Sequence, residues 1–263
     1  MERDQRHPEH DAIRAEIRSW YTESLESVGQ VVSRHWFGYL RRPDDNAGAR
    51  LVLTVGSPSQ VAPALDAARQ ECGPGEISVW VDDRQVARRL HSALRAAGSV
   101  PGGSTVHLGL VGDIERHPWP PGLTVVDTTP ATLGDWAVVK LQSFADSQEI
   151  PDDRQLAKEL EARRREAPVA RYQMGVVDEE PVAVLACYPG RHQLVFNLGT
   201  RLPYRHGGIA RAMLAHWVDQ ARAAGASSML INADDLGRPA ALYRRLGFVD
   251  EIYWYQKYVL ADG

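Results

Sequence analysis

Apolar residues fall at Ala210, Met213, Leu214, Trp217, Val218 and Ala221. That i, i+3, i+4, i+7 spacing marks one buried face of a helix, which Gly208 opens and Gly225 stops. The same reading, applied upstream, gives a helix over 8–28 and strands over 35–41 and 50–55 joined by the polar hairpin loop 43–48. It then gives a helix over 61–69 stopped near Gly73, a strand over 77–81, a helix over 84–97 and a strand over 106–111. Beyond residue 122 it gives a strand over 123–126 and a helix over 132–144, with Trp136, Val139 and Leu141 among its apolar positions. A charged helix over 155–165 follows. Strands over 172–177 and 182–188 turn at Asp178-Glu179-Glu180, and further strands cover 194–200 and 229–233.

The segment His117-Pro118-Trp119-Pro120-Pro121-Gly122 separates two such series. Its three prolines stiffen the backbone and remove amide donors, as in an ordered linker. The expected domains are 1–118, an accessory α/β domain, and 122–263. The order of elements is alike in both, which predicts two versions of one fold in tandem.

At 263 residues each half is long enough for its own core. A 44% apolar and 24% charged composition is that of a globular protein, and a net charge of −4 gives no sign of a nucleic-acid partner. Cys72 and Cys187 form no CxxC pair, so neither structural zinc nor a redox pair is expected, and His7 and His10 lie in a polar tail. The polar start and strand-sized apolar runs lead to the expectation of a cytoplasmic protein without membrane contact.

Arg205-His206-Gly207-Gly208-Ile209-Ala210 lies between a strand end and a helix start. Unpaired amides and the positive end of the helix dipole meet there, which suits an anionic phosphate. The two glycines let it approach bare backbone. The same glycines also suit a plain strand-to-helix turn.

This stretch fits Q/R-x-x-G-x-G/A and resembles the acyl-CoA pyrophosphate loop of the GCN5-related N-acetyltransferases, the GNAT family. Leu242-Tyr243-Arg244-Arg245-Leu246-Gly247-Phe248 is similar to that family's LYxxLGF segment, in the same order and separation. The resemblance covers about residues 122–262 and implies a mixed, mostly antiparallel sheet flanked by helices. It implies acetyl-CoA as acyl donor, held at Arg205, His206, Gly207, Gly208, Ile209 and Ala210. The main chain of Gly199 and Thr200 would lie along pantetheine, and Phe196 and Asn197 would lie by the acceptor. Tyr243 would donate a proton to the departing sulfur, a task suited to a phenol that stays protonated at neutral pH.

Two features depart from the family. Leu194 stands about where many members carry a glutamate base, which leaves His192, Asp234 and Asp235 as candidates. Leu236 replaces a common asparagine. No metal is implied. The first half has no such loop: Val55-Gly56-Ser57-Pro58-Ser59-Gln60 lacks the arginine, and Ser57 or Ser59 is expected to cap the helix at Val61. That half reads as a degenerate copy, with Trp36, Phe37 and Trp80 in its core or on a pocket or homodimer surface. Three readings stay open: an acetyltransferase acting on a small-molecule amine, a non-catalytic acyl-CoA-binding module, and an acyltransferase acting on a protein N-terminus or charged tRNA.

Overall fold

The computed structural model describes residues 11–13, 15, 31–42, 49–72, 76–145 and 149–260. Of the helix expected over 8–28, residues 11–13 and 15 are described and helical, and Ile13 is buried. The rest of that helix, His7, His10 and the hairpin loop 43–48 lie outside the described residues.

The elements run β1 (Val31–His35), β2 (Gly38–Arg42), β3 (Ala49–Leu53), α1 (Val61–Cys72), β4 (Ile77–Val81), α2 (Arg84–Ala96) and β5 (Ser99–Leu110). They continue with β6 (Leu123–Asp127), α3 (Leu133–Phe144), α4 (Asp153–Glu166), β7 (Arg171–Val177), β8 (Glu180–Tyr188) and β9 (His192–Thr200). The last are α5 (Ile209–Ala223), β10 (Ser228–Asp234), α6 (Arg238–Arg245) and β11 (Phe248–Leu260). The result is a mixed α/β fold with mostly antiparallel strand pairing and helices packed on the strands.

Two compact units form. One comprises 1–107, 233–240 and 251–263; the other comprises 108–232 and 241–250. A single cut near residue 118 does not describe them, because the chain passes from one unit to the other again within β10, α6 and β11.

In the first unit the strand order is β1-β2-β3-β4-β11-β5. The strand expected over 35–41 is broken: His35 pairs with Gly38 across a tight turn at Trp36-Phe37, which makes β1 and β2 a hairpin. β3 and β4 run parallel, and β4 pairs antiparallel with Gln256–Leu260 of β11. Leu51, Leu53, Leu65, Val79, Leu90, Tyr258 and Leu260 share one core, and Phe37 joins it. Trp80 stacks on Tyr255 at 4.0 Å, while Trp36 is exposed. Asp83 begins α2 by accepting hydrogen bonds from the amides of Gln85 and Val86. The expected serine cap of α1 is not made. A short 3₁₀ turn, Pro58–Gln60, precedes the helix, and the hydroxyls of Ser57 and Ser59 bond each other at 2.9 Å.

His107 on β5 is fully buried, with Tyr253 at 5.2 Å between ring centroids. Burial lowers its pKa from 6.5 to about 3, against a smaller upward pull from a backbone hydrogen bond with Tyr253. The folded state therefore holds it neutral, while the unfolded chain protonates it below about pH 6.5. This contribution to stability is complete above that pH and is lost as the pH falls from about 6.5 toward 3. Urea midpoints at pH 7 and pH 5 should fall further apart for the parent protein than for His107→Leu; equal spacing would refute the assignment.

In the second unit the order is β10-β9-β8-β7-β6. Neighbours are antiparallel except for the parallel pair β9 and β10. Trp136 of α3 is completely buried, and its indole N–H reaches the carbonyls of Gln173 (3.1 Å) and Leu185 (3.3 Å), which anchors the helix to β7 and β8. Asp152 and Gln155 form a reciprocal capping box, so α4 begins two residues before the expected start. The parallel pairs β3/β4 and β9/β10 occupy matching places in the series β3-α1-β4-α2-β5 and β9-α5-β10-α6-β11.

Candidate functional site

The site is built on how β9 ends. Its parallel ladder with β10 runs from His192↔Ser228 to Val195↔Ile231 and stops there, although β9 continues to Thr200. On the other side, Phe196 pairs with Ala186 and Gly199 with Val184, so Asn197 and Leu198 face the single residue Leu185. This is a bulge, and Asn197 carries the left-handed φ of 54° that it requires. Residues 196–200, the last five of the nine in β9, thus lie beyond the ladder with β10.

A 3₁₀ turn, Leu202–Tyr204, then leads into the loop. His206 has φ 67° and Gly208, at the N-cap of α5, has φ 83°. A glycine suits Gly208 through this backbone angle, since an added Cβ would come no closer than 3.8 Å to anything, the Pro120 ring. No side chain caps the helix, and the first helical bond is Ala212 N–H to Gly208 O at 3.0 Å. The amides of residues 206–211 have no acceptor among the described residues. Ile209 is buried and anchors the helix, and Ala210 is half-buried. A row of free amides at the positive end of a 15-residue helix fits a diphosphate.

Arg205 points elsewhere. Its Nε donates to Thr200 O (3.0 Å) and its Nη2 to Ser143 O (2.6 Å), in the last turn of α3. Gly199 lies under that turn: an added Cβ would stand 2.8 Å from Ser143 Cβ and 3.0 Å from Phe144 Cε2. The buried hydroxyls of Ser143 and Thr200 have no hydrogen-bond partner among the described residues.

Tyr243 sits in α6, the helix after β10, and is 6% exposed. Its hydroxyl has no hydrogen-bond partner among the described residues, and burial pushes its pKa upward. It is a protonated phenol at neutral pH.

The three base candidates are engaged elsewhere. His192 shares a 2.6 Å hydrogen bond with Ser228 at the other end of β9, about 26 Å from Thr200 at a strand's rise per residue. Asp234 accepts from Leu236 N–H in a tight turn at 3.0 Å. Asp235 accepts from Arg84 (2.8 Å) and from the Trp254 indole (3.0 Å), within the first unit.

The sequence reading missed a charged cluster on the face of the sheet that α3 and α4 cover. Glu159 accepts from Lys140 (2.9 Å) and pairs with Arg163 (3.1 Å). Glu166 pairs with Arg163 (2.5 Å) and accepts from the Tyr172 hydroxyl (3.0 Å). Burial raises the pKa of Glu166, against the pull of Arg163. Phe196 and Tyr188 stack at 4.4 Å and pack on the core of Leu133, Trp136, Tyr172 and Val184. The available signal was the acid-base alternation of α4, which resembles that of any solvated helix.

Residues 136–248 match the family model described as acetyltransferase (GNAT) family. No curated protein matches the sequence. Among solved structures, a GCN5-related N-acetyltransferase from Kribbella flavida is similar with a TM-score of 0.66 and 18% identity, over 95% of this chain and 96% of that one. Another from Sphaerobacter thermophilus gives 0.62 and 15% identity, over 84% and 75%. A tandem GNAT protein from the clavulanic acid biosynthesis pathway gives 0.56 and 14% identity, over 88% and 78%. At these identities the likeness is one of fold, and it extends over both halves of the chain.

Proposed function

Starting from residues 136–248 as a GNAT-family domain, we propose that the protein is an N-acetyltransferase carrying an acetyl group from acetyl-CoA directly to an amine of a small molecule. The observation that supports this most is the row of unpaired amides at 206–211, directly after a strand released from its parallel neighbour. In this reading the amides of His206, Gly207, Gly208, Ile209 and Ala210 hold the diphosphate. The main chain of Gly199 and Thr200, beyond the ladder with β10, runs along the pantetheine arm, and Phe196 and Asn197 lie on the acceptor side of the bulge.

A neutral amine then attacks the thioester carbonyl carbon. The C–N bond forms, the C–S bond breaks, and the sulfur takes a proton from the Tyr243 hydroxyl. The amine gives up its extra proton to water, and the phenol is reprotonated from solvent. Burial keeps Tyr243 protonated until the thiolate appears, so it is a donor and not a competing base. The half-buried sheet face beside Phe196 presents aromatic rings and a balanced set of charges, which suits a small amine.

Calorimetric titration with CoA should give binding heat, and a panel of amines should contain one that triggers free-thiol release from acetyl-CoA. Heat without thiol release from any amine would favour a non-catalytic acyl-CoA-binding module, and no heat would refute the loop assignment.

A further inference from the structure

We propose that Arg205 is a positioning residue that latches the end of β9 to the end of α3, and that the phosphates are left to the loop amides. The inference rests on the acyl-donor reading above. One guanidinium donates to Thr200 O at 3.0 Å and to Ser143 O at 2.6 Å. Thr200 is the last residue of β9, and Ser143 lies one residue before the end of α3. The Ser143 carbonyl is among those a helix leaves without an internal partner, and a cation is favoured where such carbonyls gather.

Between the two anchored carbonyls lies Gly199. A side chain there would collide with Ser143 Cβ at 2.8 Å and Phe144 Cε2 at 3.0 Å, so strand and helix are already in contact. The latch closes over that contact. It also folds the 201–205 turn back on its own start, which sets where the free amides of 206–211 begin. The main chain offered to the donor's amide arm and the amides offered to its diphosphate are thus fixed by one side chain. Lysine cannot replace it, because a single ammonium lacks the planar fork that reaches two carbonyls at once.

The test compares Arg205→Lys and Arg205→Ala with the parent protein, using acetyl-CoA and S-acetylpantetheine, which has the thioester and amide arm but no phosphate. A latch predicts that both variants lose kcat/KM with either donor, on the order of ten-fold or more with acetyl-CoA, and that lysine restores neither loss. Assays are run at a temperature where circular dichroism shows each variant fully folded. In the ligand-free variants, exchange of the Arg201 amide, which bonds Val182 O at 2.9 Å, should also quicken. A loss confined to acetyl-CoA, largely restored by lysine, would make Arg205 a phosphate ligand and overturn the proposal. So would unchanged exchange with unchanged kinetics. Absence of CoA-binding heat in the parent protein would instead refute the donor reading, and the latch would lose its role with it.

Discussion

Tyr243→Phe is expected to lower turnover about a hundred-fold while leaving CoA affinity within about two-fold, since proton donation acts in the transition state and not in donor binding. The change removes one oxygen from a side chain that is 6% exposed and hydrogen-bonded to no described residue. No described partner is orphaned, and the ring, which is left intact, still fills its buried place. Melting temperature should therefore stay close to that of the parent protein. Without the phenol the thiolate must leave unprotonated or draw on water, and the loss should shrink for a thioester whose thiol is more acidic. Measuring kcat with acetyl-CoA and Kd for CoA side by side checks this. Parental turnover in the variant would remove Tyr243 from the chemistry.

Deleting residues 251–263 is expected to prevent the first unit from folding. This segment pairs Gln256–Leu260 with Val81–Ile77 across five residues. It also places Ile252, Tyr253, Tyr258 and Leu260 in the interior, each no more than 5% exposed. Burying such side chains is worth about 1.5–3 kcal/mol each, so the four together approach or exceed the roughly 5–15 kcal/mol that holds a domain folded. The edge of β4 and the Val79 and Leu90 core would be left open to water. Limited proteolysis should then cleave between residues 50 and 107 within minutes, while the parent resists. A truncated protein with an unchanged melting curve and digestion pattern would show that β4 does not depend on β11.

The elements set by local chemistry were legible. α5 follows from its apolar spacing and flanking glycines. The β7–β8 hairpin follows from the acidic turn at Asp178 and Glu179, both of which adopt a left-handed φ. The candidate loop stood out because His206 to Ala210 combine a strand end, two glycines and a helix start within a few residues. β1 was not read, because its turn is Trp36-Phe37, which lacks the usual turn residues. β11 was not read because its partners lie far away in sequence and its pattern of exposure follows no single alternation. The direction of the Arg205 side chain was beyond any motif. One carbonyl that Arg205 meets, Thr200 O, is nearby in sequence, but the other, Ser143 O, comes from a helix about sixty residues upstream. The charged cluster around Tyr172 was equally hidden, since its members are gathered from α3 and α4 by the fold alone.

Because residues 251–260 complete the first unit, a ribosome must translate all of the second unit before the first can close. Until then the strand β4 has an unfilled edge, and the growing polypeptide carries an adhesive border through most of its synthesis. Slowing translation late in the message should therefore lower the soluble yield more than slowing it early.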